Sequence, residues 1–212
     1  MRFLIPFSAV LSLAWAQDLC GQYSYYSANG YYFNNNAWGQ GSGSGSQCTH
    51  VDKLLNPGVA WHTDWNCQIG SIPTKAEWRY LGNNIRANIA YDLFTAADPN
   101  HDTSFGDYEL MVWIGRKGGV YPIGSSVGNV NVAGRTWELW VGYNGAMKVF
   151  SFVAPSEIAV FESNLKPFFD HITNTQGFPA SRQHLITYQF GSEPFTGSNA
   201  RFDVWYFYGE VN

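Results

Sequence analysis

The chain has 212 residues, with 12 Lys and Arg against 16 Asp and Glu and a formal net charge of −4. That length suits one domain with a substantial core, and the absence of any basic cluster leaves nothing to neutralise a phosphate backbone, which excludes nucleic acid as a ligand. Charged residues make up only 13% of the chain and aromatics 17%, so hydroxyl and amide side chains must cover much of the surface, and a neutral, hydroxyl-rich partner fits it.

The first predicted element is a leader. Met1 and Arg2 precede an apolar run over residues 3–14, which closes on Ala14-Trp15-Ala16, the small-x-small pattern of a signal peptide cleaved after residue 16. The run is too short to span a membrane and no later stretch is long and apolar enough. The expectation is a secreted, extracellular protein with no membrane partner after cleavage, residues 17–212 forming a single domain that works as a monomer. In an oxidising compartment Cys20 is expected to pair with Cys48, closing a loop worth about 3 kcal/mol in the chain-entropy account. Cys67 is then left over. Gly and Ser alternate over residues 41–46, between the paired cysteines, and read as a constrained loop. The five histidines show no ligand spacing, so neither a metal nor a cofactor is expected.

Strand signals dominate the remainder of the chain. Over residues 85–94, Ile85, Ala87, Ile89, Tyr91 and Leu93 alternate with Arg86, Asn88, Ala90, Asp92 and Phe94, one face for a core and one more polar. Residues 108–114 set Tyr108, Leu110, Val112 and Ile114 against Glu109, Met111 and Trp113. Helical spacing of Phe161, Leu165, Phe168, Phe169 and Ile172 predicts one helix over residues 157–175, with Pro167 inside it and Gly177 as its stop. Residues 185–193 oppose Ile186, Tyr188 and Phe190 to Thr187, Gln189 and Glu193, and residues 202–208 oppose Phe202, Val204, Tyr206 and Tyr208 to Asp203, Trp205 and Phe207.

Many alternating strands, one helix and no βαβ rhythm predict an all-β fold of two packed antiparallel sheets. If one concave face carries the polar and aromatic residues, it makes a groove suited to a polysaccharide, because ring faces stack on sugars while amides and acids bond hydroxyls. Glycoside cleavage needs two carboxyl groups flanking one bond. Asp92, Glu109 and Glu193 stand out because each falls on the non-core face of a strongly apolar strand.

Asp107-Tyr108-Glu109-Leu110-Met111-Val112-Trp113 and Gln189-Phe190-Gly191-Ser192-Glu193-Pro194-Phe195-Thr196-Gly197 resemble the two catalytic signatures of glycoside hydrolase family 12, endoglucanases of fungi and bacteria with a β-jelly-roll fold. Residues 35–39, 61–65, 84–94 and 142–147 resemble family segments too. The resemblance implies a retaining endo-β-1,4-glucanase acting on cellulose or mixed-linkage β-glucan. Glu109 would be its nucleophile, Glu193 its acid/base, and Asp92 the neighbour that hydrogen-bonds and orients Glu109. It further implies that Trp38 stacks on a non-reducing-side sugar with Asn36 beside it, that Met111 lies near the nucleophile, and that Pro122 borders the reducing-side cleft.

One segment departs from the family. Between Trp65 and Ile69, where Cys67 stands, about two strands' worth of residues are missing, which should expose sheet edges and strip part of the groove. A xyloglucan-specific enzyme, or a truncated inactive or glycan-binding homologue, are the alternatives.

Overall fold

The computed structural model describes residues 17–35, 44–55 and 58–212. The expected leader, and the expected sugar-binding residues Asn36 and Trp38, lie outside the described residues. The chain divides after Gln68 into two compact units.

In the first unit, β2 (Tyr25–Ala28) and β3 (Tyr31–Asn34) form a hairpin around Asn29 and Gly30, both at positive φ (50° and 79°), the backbone that a tight two-residue hairpin turn requires. A three-stranded antiparallel sheet is ordered β1-β4-β5, from β1 (Gln17–Leu19), β4 (Ser44–Leu55) and β5 (Gly58–Gln68). Part of the Gly/Ser stretch therefore lies in β4. Leu19, Phe33 and Val51 make a small core. Polar and covalent ties supplement it: buried Asn35 donates to the carbonyls of Gly21 (2.9 Å) and Gln47 (3.0 Å), and a disulfide joins Cys20 to Cys48, 28 residues apart.

The second unit is one eight-stranded sheet with a helix. Its strands are β6 (Pro73–Ala96), β7 (Tyr108–Lys117), β8 (Ser125–Val132), β9 (Arg135–Asn144), β10 (Met147–Val153), β11 (Val160–Asn164), β12 (His184–Gly191) and β13 (Pro194–Gly209). The main path runs β11-β6-β7-β10-β9-β8, while β12 and β13 run in succession along β6. The 24-residue β6 organises everything. Its first half pairs with β11 and β13, its second with β7 and β12, and Trp78 from one half meets Tyr91 and Leu93 from the other in a single core. Between the halves Gly82 has φ +124°, and a Cβ there would stand 2.7 Å from Ala200 Cα, so the close approach of β13 requires glycine.

The described residues are all-β with one α-helix, but several local expectations need correction. Helix α1 spans Lys166–Gln176, not residues 157–175. Pro167 starts it, because in the first turn a missing N–H costs nothing, and Gly177, left-handed at φ 70°, ends it. Phe161 is buried from strand β11 instead. β7 and β10 pair in parallel. Residues 118–124 carry the chain to the sheet edge, so β8 starts in the direction of β7, and the turns β8-β9-β10 bring the chain back the same way. Two bulges reverse predicted faces. The register slips at Ile186, which joins the cluster of Phe94, Met111 and Trp113, and at Trp205, after which Phe207 shares the face of Phe202 while Tyr206 and Tyr208 pair with Glu77 and Lys75.

Candidate active site

Cross-strand partners share a face, and the ladders therefore trace a row across six strands: Gln189, Asp92, Met111, Ser151, Trp140 and Ser126. Neighbouring rows carry Phe94, Glu109 and Val149 on one side and Ala90, Trp113 and Val153 on the other. The opposite face sends Ile89, Tyr91, Leu93, Leu110, Val112 and Ile114 into the main core. Alternation on two apolar strands thus delivers Asp92 and Glu109 to one surface, on adjacent strands.

Glu109 is only 7% exposed. Burial pushes its carboxyl up to about 8, helped by the charge of Asp92, by the hydrogen bond the two share and by the charge of Glu193. Burial likewise pushes Asp92 up to about 6; its hydrogen bond with Glu109 works against that shift and the charge of Glu193 adds to it. No donor faces the buried Oδ1 of Asp92. Two acids so placed titrate as a pair and hold a proton to higher pH than free carboxyls do, and a proton between them gives the pair a donor. When it sits on Asp92, Glu109 is an ionised carboxylate accepting a hydrogen bond.

Glu193 lies in the two-residue break between β12 and β13, alongside β6, where its backbone N–H donates to Asn88 Oδ1 (2.9 Å) and its Oε2 accepts from Asn88 Nδ2. Its charge acts on both Asp92 and Glu109. Met111 is buried on β7 two residues after Glu109 and pairs across the strands with Asp92, its sulfur accepting from Trp113 Nε1 at 3.4 Å. Pro122 is buried beside Tyr121, whose ring packs 5.6 Å from that of Trp140. The structure thus groups Asp92, Glu109, Glu193 and Met111 and sets Pro122 next to the aromatic pair at the far end of the row. Sequence reasoning passed over Asn88 and Trp140. The alternation already set Asn88 on the face of Asp92, whereas nothing local marked Trp140 among nine tryptophans. Among the described residues no cluster of His, Cys, Asp and Glu could hold a metal ion.

Breaking an acetal between two sugars asks for one carboxyl that can give up its proton to a neighbour and another that can hand a proton to the departing oxygen, and the class of protein this face defines is a glycoside hydrolase. Residues 67–212 match the profile of Glycosyl hydrolase family 12, and the chain belongs to that family. Endoglucanase A of Aspergillus kawachii is 42% identical over 231 aligned residues, covering 96% of this chain and 97% of the relative. That span exceeds the 212 residues here, so the relative carries residues this chain lacks. Xyloglucan-specific endo-beta-1,4-glucanase A of Emericella nidulans is 38% identical, over 88% of each chain. Among solved structures, Trichoderma harzianum Endoglucanase 3 of family GH12 superposes with a TM-score of 0.67 at 44% identity, over 94% of this chain and 99% of that one. The Humicola grisea Cel12A catalytic domain, solved with a soaked thio cellotetraose, gives 0.66 at 44% identity, over 92% and 99%.

Proposed function

We propose that the protein is a retaining endo-β-1,4-glucanase in which Glu109 is the nucleophile, Glu193 the acid/base and Asp92 the residue that holds the shared proton while Glu109 reacts. The observation that carries this reading is the buried Asp92–Glu109 pair within electrostatic reach of Glu193. In the first step a Glu109 oxygen bonds to the anomeric carbon as the bond to the glycosidic oxygen breaks, and Glu193 gives its proton to that oxygen. The product is a sugar esterified to Glu109. In the second step water attacks the same carbon, Glu193 takes its proton, and Glu109 leaves as carboxylate. Two inversions restore the β configuration.

The substrate is a β-1,4-glucan, cellulose or mixed-linkage. Met111 and Pro122 line its path, and Tyr121 with Trp140 offers rings to sugars farther along the row. Relatives named for both endoglucanase and xyloglucan-specific activity make xyloglucan the second reading. The leader is removed and the enzyme is exported, working as a monomer outside the cell; the N-terminus of secreted material should be Gln17, and light scattering should give the mass of one chain.

A 2-deoxy-2-fluoro cellobiosyl reagent with a good leaving group tests the chemistry. It should add one fluorosugar to the peptide containing Glu109 in the wild type and none in Glu109→Gln. Folded wild type that takes up no label would mean an inactive or purely glycan-binding homologue. Initial rates on barley β-glucan and on xyloglucan then decide the substrate.

A further inference from the structure

We infer that Asn88 is the positioning residue that aims the carboxyl of Glu193 at the scissile oxygen. The inference rests on the reading of Glu193 as acid/base and assigns the device that makes it one.

Glu193 occupies a place where the sheet gives it little support. Along β6, Ala90 pairs with Gly191 at the end of β12 and Ala87 pairs with Pro194 at the start of β13. Ser192 and Glu193 fall in the gap, where no regular ladder fixes the backbone. A carboxyl carried on such a break would wander over several rotamers, and proton delivery depends on its being held near one geometry.

Asn88 closes the gap with four links. Its backbone N–H donates to Glu193 O at 3.3 Å, and its own carbonyl accepts from Ser192 Oγ at 2.7 Å. Its side-chain Oδ1 accepts from Glu193 N at 2.9 Å, while Nδ2 donates to Glu193 Oε2. The side-chain pair fixes its own orientation. A backbone N–H can only meet an acceptor, so the oxygen of the amide must face Glu193 N and its NH₂ must face the carboxylate. One rigid fork thereby pins both the main chain and the carboxyl of the same residue.

Asn88 is fully buried, so its side chain cannot swing away to water, and it sits on the face of β6 that carries Asp92. One strand therefore presents the partner of the nucleophile and the holder of the acid/base four residues apart. Only an amide of this length offers one donor and one acceptor in that geometry. Aspartate keeps the acceptor for Glu193 N and loses the donor to Oε2; alanine loses both.

The test compares wild type, Asn88→Ala, Asn88→Asp and Glu193→Ala on two substrates, after circular dichroism and thermal melting have established which variants fold. Barley β-glucan needs a proton on its leaving group; 2,4-dinitrophenyl β-cellobioside does not. For Asn88→Ala, kcat/KM on β-glucan should fall on the order of 10²-fold with KM little changed, while kcat/KM on the dinitrophenyl substrate stays within about threefold, because its departure needs no acid. Its kcat on the dinitrophenyl substrate should fall and be restored by azide, with formation of β-cellobiosyl azide, since azide needs no general base. Asn88→Asp, nearly isosteric, should show the same split and serves if the alanine variant does not fold. Equal losses on both substrates, or no loss on either, would overturn the inference while Glu193→Ala still shows the split. If Glu193→Ala shows no split, the acid/base assignment itself fails and the inference falls with it.

Discussion

Among the described residues of the unit ending at Gln68, Leu19, Phe33 and Val51 form the buried apolar cluster; in the unit beginning at Ile69, Trp78, Trp137, Phe150, Phe152, Phe161 and Phe168 are all fully buried in one cluster. The first is held by a disulfide and a buried asparagine, the second by packing. The contrast bears on chemistry. Burying Asp92 and Glu109 is costly, and a rigid, densely packed sheet is what can hold two acids against each other without letting water relax them apart. The family profile begins at residue 67, and the chain changes unit after Gln68.

The contrast breaks most sharply at the site itself. Glu109→Gln should lower kcat by about 10⁴-fold or more and leave the melting temperature of the second unit unchanged or higher, since it removes a buried charge; calorimetry beside turnover would show both. Next in size, Trp137→Ala opens the packed core and gives up the bond from Trp137 Nε1 to Val132 O (3.1 Å). It should destabilise the second unit by about 3–5 kcal/mol, read by denaturant unfolding. Cys20→Ser should cost about 3 kcal/mol but only in residues 17–68, so hydrogen exchange should speed up there and stay unchanged beyond Ile69. A comparable loss of protection throughout would mean that the two units do not stabilise themselves separately.

The remaining test of the contrast is a pH slope. Folding moves Glu109 from 4.5 up to about 8 and Asp92 from 3.8 up to about 6. Between those limits the unfolded chain has lost protons that the folded chain keeps, so unfolding releases protons. The contribution of the pair is full below about pH 4 and is lost as pH rises toward 8. Stability of the second unit should fall over that window, and Glu109→Gln should flatten the fall; a steeper slope in the variant would contradict the shared-proton pair.

Much of the fold and half of the site are legible in the residues alone. The alternation of residues 85–94 and 108–114 assigns faces correctly because a side-chain period of two is imposed by the strand backbone alone. It fails at Ile186 and Trp205, where one extra residue in a ladder flips the faces beyond it. Phe161 shares helical spacing with Phe168 yet comes from a strand, because the same core accepts apolar residues from either element.

What the sequence determines by itself is local and periodic: which strands are apolar on one side, which acids stand on the other, and where Gly177 stops the helix. Tertiary structure decides what depends on distant partners. The parallel pairing of β7 with β10, the burial of Asp92 beside Glu109, and the grip of Asn88 on a glutamate 105 residues away all need chain segments that meet only after folding, and no pattern along one segment encodes the position of another.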